Sequence, residues 1–214
     1  MRRLLLTGFL LVLFIVGCSG DSVANDMYEH LEQTVELEQP FAEQQEPFSA
    51  LEQEEQDLYN QIIELSADEM DKITSLSDEA IATIKERKEL LQTELDSMNK
   101  AEEEFTKVKE YVEDLDEESK QVAQELVDTM EQRYEAYQQL HDAYMDSLEQ
   151  DQKLYELFKK EDLKEEDLRN QIETVNQSYD KVMEYNDNFN ELTDTYNQLK
   201  QDFYDSVELN VVYE

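Results

Sequence analysis

Toward the C-terminus, apolar and aromatic residues recur in alternating steps of four and three: Leu168, Ile172, Val175, Tyr179, Val182, then Phe189, Tyr196, Phe203 and Val207. That spacing is a heptad seam along one face of a long helix. Asn186, Thr193 and Lys200 fall on the same seam and read as interruptions that fix its register. A second helix precedes it, with a stripe through Ala123, Leu126, Met130, Tyr134, Tyr137, His141, Tyr144, Leu148, Tyr155 and Phe158. Asp116 is its expected N-cap, and Asp162 with Glu165 is the expected capping pair of the last helix. Each of the two spans about 40 residues, hence roughly 60 Å at the helical rise.

Upstream, the rhythm runs from Leu51, Leu58, Ile62 and Leu65 through Ile73, Leu76, Ala80 and Ile84 to Leu91, Leu95, Met98, Phe105, Val108, Val112 and Leu115. This is either one very long helix or two parted near Ser66–Ser77, where two capping patterns favour a break. Before it, Asp26 can cap a short helix to about Glu38 with Met27, Leu31 and Val35 on one face. Pro40 and Pro47 then bracket an expected break, Gln39–Glu46. Short connections force such helices antiparallel. The expected fold is all-α, an elongated antiparallel up-and-down bundle, or coiled coil, of three to four long helices.

Glycine and proline usage narrows the class further. The glycines are Gly8, Gly17 and Gly20, and neither glycine nor proline occurs from Phe48 onward. Hairpins and phosphate-cradling loops need those residues, so α/β and all-β folds are excluded. Charge narrows the partners. The chain has 18 basic and 55 acidic residues and a formal net charge of −37. Nucleic acid and anionic headgroups require a basic face, and this chain has none to offer.

The N-terminus carries a different pattern. Arg2 and Arg3 precede a mostly apolar run from Leu4 to Val16, too short to span a bilayer and typical of an export signal. Ile15-Val16-Gly17-Cys18 follows and resembles a bacterial lipobox, in which the chain is cut before the cysteine and its thiol carries long acyl chains such as palmitate. Cys18 is the sole cysteine, so intrachain disulfides are excluded. The expected organisation is a signal peptide at 1–17 and a lipidated tether at 18–25. The short helix and its proline-bracketed break follow at 26–46, and the long bundle occupies 47–214.

Candidate chemistry is sparse. His30 and His141 are the only histidines. Di-iron bundles place a glutamate three residues before each ligating histidine; here those positions hold Met27 and Gln138. No metal, cofactor or catalytic set is therefore expected. Closely spaced carboxylates arise by chance at this acidity and carry no diagnostic weight. The sharper candidate is the stripe Tyr134, Tyr137, His141 and Tyr144, which would stack on sugars if exposed and fill the core if not.

Several segments together resemble one family. They are Met27–Leu37 with Pro40-Phe41, Gln56-Asp57-Leu58-Tyr59, Glu86-Arg87-Lys88, Glu104-Phe105 with Val108-Lys109, and Glu125–Tyr137. With the lipobox, they make the whole chain similar to the YkyA-like family of cell-wall-binding lipoproteins of Gram-positive bacteria. The resemblance implies a helical bundle held by a lipid on the outer face of the cell membrane, and it supplies no catalytic residues. The expected function is non-enzymatic, a rod that contacts peptidoglycan or an envelope protein. One alternative is a scaffold that pairs with partner helices through faces such as Leu192, Leu199 and Tyr204. The other, an envelope hydrolase, lacks a nucleophile–base pair or metal cage in the sequence. Polyanionic wall polymers would repel so acidic a chain unless divalent cations bridge the two.

Overall fold

Glu, Gln, Leu, Lys and Ala, all good helix formers, dominate the chain beyond the signal, and its backbone is helical almost throughout. The computed structural model describes residues 19–209; the signal segment and Cys18 lie outside them. The helices are α1 (Ser19–Glu43), α2 (Gln45–Ile63), α3 (Met70–Phe105), α4 (Lys109–Val112), α5 (Glu117–Phe158) and α6 (Glu165–Ser206). A 3-10 turn at Thr106–Val108 joins α3 to α4. Among the described residues there is no strand, and no helix is long and apolar enough to cross a membrane.

Four long helical struts pack antiparallel, as expected. α1 and α2 together make the first strut, α1 lying on the C-terminal half of α3 and α2 on its N-terminal half. α5 and α6 complete the bundle, each 42 residues long, or about 63 Å at 1.5 Å per residue. Two apolar cores stack along this rod. One gathers Met27, Leu31, Phe105, Met130, Tyr196 and Phe203; the other gathers Leu58, Ile62, Ile84, Leu148, Tyr155 and Phe158. They meet near Leu91, Tyr144 and the end of α1.

Both N-terminal expectations need correction. α1 begins at Ser19, so the expected tether is helical, and Asp26 lies inside the helix rather than at its cap. The helix also continues through Pro40, leaving a break of one residue, Gln44. A proline inside a helix forfeits one hydrogen bond and crowds the preceding turn. Ser97 of α3 repairs the opened ladder. Its Oγ donates to the Leu37 carbonyl at 2.6 Å and accepts from the Phe41 amide at 3.3 Å, inserting between two groups that would otherwise bond to each other. The Gln44 side chain donates to the Pro40 carbonyl at 2.9 Å. Pro47 sits in the first turn of α2, where no amide partner is needed.

The Ser97 bridge makes a prediction. Ser97→Ala leaves the part-buried Phe41 amide and Leu37 carbonyl without their shared partner, a loss of about 1 kcal/mol. Urea denaturation would show it as a lower midpoint with an unchanged slope. An unaltered midpoint would mean that the proline turn is held by packing alone.

Elsewhere the turns follow local chemistry. The break expected near Ser66–Ser77 falls at its early end, between Ile63 and Met70, and Ser75–Asp78 lies within α3. The Glu69 carboxylate accepts from the Ser66 amide at 3.2 Å and its hydroxyl at 3.0 Å, closing the turn without Ser66 acting as a cap. Asp116 does cap α5, accepting from the Glu118 and Ser119 amides at 3.0 and 3.2 Å. These bonds hold its carboxyl below the ordinary range. Asp162 does not cap α6, which opens at Glu165 after Lys164. On α1, Thr34 takes the core position and is fully buried, whereas Val35 is 42% exposed. A seam stepping by four and then three from Met27 reaches Leu31 and then Thr34, and so passes Val35 by.

Candidate functional site

On α3 the seam steps through Ala80, Ile84, Arg87, Leu91, Glu94, Met98, Ala101 and Phe105. Arg87 and Glu94 thus occupy positions whose helical neighbours are apolar. The same holds for Glu38 on α1, Glu55 on α2, Arg133 and Asp151 on α5, and Lys200 on α6. Isolated charges are rarely buried, because desolvation costs several kcal/mol per ion. Packing therefore draws most of these charges into pairs.

The largest such assembly centres on Arg87, which is only 2% exposed. Its Nη1 donates to Glu55, and its Nη2 lies 3.2 Å from Glu52 Oε1 and from the hydroxyls of Tyr144 and Tyr179. The hydroxyls pass the network on. Tyr144 donates to Glu52, Tyr179 donates to Asp151 at 2.6 Å, and Tyr155 donates to the Glu55 carbonyl at 3.4 Å. The guanidinium also lies 5.2 Å from the Phe48 ring centroid and 5.6 Å from that of Tyr144, within cation–π range. All four struts contribute to this one polar layer.

Glu52 and Glu55 pair with the guanidinium directly, and Asp151 is joined to it through the Tyr179 hydroxyl. Burial and the neighbouring Asp151 push the Glu55 carboxyl up to about 7, against the opposing pull of Arg87. Burial likewise raises Asp151 and holds Tyr144, Tyr155 and Tyr179 above the ordinary phenol range. A cleft of about 450 Å³ opens on this layer between α2 and α6. Gln56, Tyr59 and Asn176 line its sides, with Arg87, Asp151 and Tyr155 further in. Ring faces, amides and carboxylates side by side can accept hydrogen bonds from hydroxyls and stack on apolar ring surfaces.

Two more pairs clip the first strut to the body. Arg133 donates through both terminal nitrogens to Glu38 at 2.7 and 2.9 Å, and through Nε to the Thr193 hydroxyl at 2.9 Å. Lys200 donates to Glu32 at 3.1 Å, and the Tyr204 hydroxyl donates to the same oxygen at 2.7 Å. Thr193 and Lys200 thus do tie register, each by a named bond. Asn186 is exposed and does not join them.

The tyrosine stripe faces inward. Tyr134 and Tyr137 are enclosed, Tyr134 with its ring 6.2 Å from that of Phe105 and Tyr137 with its ring 5.7 Å from that of Phe189. Tyr144 belongs to the Arg87 layer, and the His141 side chain is 12% exposed. Tyr137, His141 and Tyr144 nonetheless line a common cleft of about 270 Å³, separate from that beside Arg87. Tyr134 does not. His30 stands far from this group, its Nδ1 2.6 Å from Glu104 Oε1. Among the described residues, no three metal-ligating side chains gather into one group. Reading apolar residues alone passed over Arg87, Glu55 and Asp151; a charge at a seam position was the available signal.

Comparison with known proteins places the chain. Residues 22–206 match the model of the YkyA family, described as "Putative cell-wall binding lipoprotein". The "Uncharacterized lipoprotein YkyA" of Bacillus subtilis is 37% identical over 197 residues, covering 92% of this chain and 88% of that protein. A crystal structure of a conserved protein of unknown function from Staphylococcus aureus superposes with a TM-score of 0.74. At 15% identity, over 86% of this chain and 93% of that one, the likeness speaks for the fold alone. The chain, with its inward tyrosines and charged seams, belongs to the YkyA family of lipoproteins.

Proposed function

We propose that this protein is a non-enzymatic surface lipoprotein, held at the outer face of the cell membrane through Cys18, whose rod binds peptidoglycan at the Arg87 cleft. The cleft itself carries the reading. It is open, it is lined by Tyr59 and Tyr179 beside the amides of Gln56 and Asn176, and its floor is fixed by a network from all four struts. A rigid floor with aromatic and amide walls suits a sugar or a short peptide, which offers hydroxyl and amide donors and apolar faces. The family description and the lipobox agree with a role at the wall.

Co-sedimentation with purified sacculi tests this. The mature protein should be retained on sacculi stripped of teichoic acid, with no need for Ca²⁺. Intact walls, rich in polyanion, should retain less unless Ca²⁺ is added. A double variant of the cleft wall, Gln56→Ala with Asn176→Ala, should weaken retention about tenfold, the equivalent of one lost hydrogen bond. Failure to sediment under every condition would overturn the reading and leave the rod as a scaffold for partner helices.

A further inference from the structure

Glu94 stands apart from the charges gathered around Arg87, Arg133 and Lys200. It is 5% exposed, sits where the two apolar cores meet, and accepts one hydrogen bond, from Gln45 Nε2 at 2.9 Å. Glu38, Glu55 and Glu32 each hold an arginine or lysine. Among the described residues, no ion pair forms at Glu94. Burial alone pushes its carboxyl up to about 7, and its ionised form has no counter-ion. Buried charges are ordinarily paired, and that rule makes this exception informative.

The carboxylate lines the 270 Å³ cleft beside the strut break at Gln44. The rings of Phe41, Phe48, Tyr137 and Phe189 wall it, and the exposed Asn186 and Asn190 stand at its rim. Tyr137 supplies a second, independent sign. The residue is 2% exposed, and its buried hydroxyl has no hydrogen-bond partner. Arg133 also borders the cleft, but all three of its nitrogens are engaged by Glu38 and Thr193. An anion would meet the Glu94 charge, and an apolar guest would leave that charge without a partner. A divalent cation would find one carboxylate where it needs six or more oxygens. A cation with an alkyl stem satisfies every wall, because aromatic faces attract ammonium groups and the carboxylate completes the pair.

We infer that the Glu94 cleft is a binding site for a primary ammonium group, with Glu94 as its counter-ion and the Tyr137 oxygen as a further acceptor. The inference is independent of wall binding, since it concerns a soluble amine. Two sources carry this chemistry: the side chain of a diamino acid in a peptide, and an amino sugar with a free amine.

The test is an NMR titration of the detergent-solubilised mature protein at pH 8 with millimolar probes. Nα-acetyl-lysine methylamide and its Nε-acetylated form make one pair; glucosamine and N-acetylglucosamine make the other. At least one free amine should give saturable shifts, and acetylating it should weaken binding tenfold or more. Saturation by the lysine probe assigns the source to a diamino acid side chain; saturation by glucosamine assigns it to an amino sugar. Glu94→Gln preserves volume and should abolish the preference for the free amine, with its melting temperature as the control for folding. Equal binding of amine and amide, an unaltered preference in Glu94→Gln, or no saturable shift with either amine would overturn the inference.

Discussion

Arg87→Met is expected to destabilise the folded chain by about 3–5 kcal/mol at pH 8, because it leaves buried carboxylates without their cation. Methionine fills most of the same volume, so the loss reports charge rather than a cavity. The dependence on pH carries the proof. Glu55 has its folded-state value raised from 4.5 to about 7, so the folded state holds the proton more tightly than the unfolded chain. Stability contributed by that proton is fully present below pH 4.5 and is lost as pH rises through 7. Removing Arg87 also removes the pull that lowers Glu55, and the window moves upward. The variant should therefore lie far below the parent at pH 8 and close to it near pH 5. Chemical denaturation at the two pH values checks this. An equal deficit at both would show that Arg87 matters for packing alone.

Cys18→Ala should have the other large effect, complete loss of the processed, lipid-anchored form of the protein. Each buried methylene of an acyl chain contributes about 0.8 kcal/mol, and stable anchoring takes two such chains or one chain plus a basic patch. This chain, at −37 overall, has no basic patch to compensate. The variant should be released to the medium or persist with its signal attached, and detergent-phase partitioning reads the difference. Unchanged partitioning of the variant would refute anchoring through Cys18.

Heptad spacing is written in neighbouring residues, so the helices and their antiparallel order could be read directly. The Asp116 cap is equally local, and it lies where the pattern of acids placed it. Pro40 was misjudged for the opposite reason. What permits it is the hydroxyl of Ser97, 56 positions beyond the Phe41 amide that it accepts from, and no window around the proline contains that fact. The tyrosines at 134, 137 and 144 were visible as a stripe. Which way the stripe faces depends on α3 and α6 closing over it, a property of the assembled bundle. Seam positions such as 55, 87, 94 and 151 could have been flagged as charged. Their partners, drawn from all four struts, could not.

The strut that begins at Ser19 also works as a scale of height. Its residues rise about 1.5 Å each, so with an anchor at position 18 the Glu32, Glu38 and Glu55 layers stand at roughly 20, 30 and 54 Å along the rod. Because the seams repeat every seven residues, inserting or deleting one heptad in every strut would shift a cleft by about 10 Å while leaving its walls intact. Reach and recognition are thus separable in this architecture. The thickness of the zone to be crossed can set the length of the rod without disturbing the chemistry it carries.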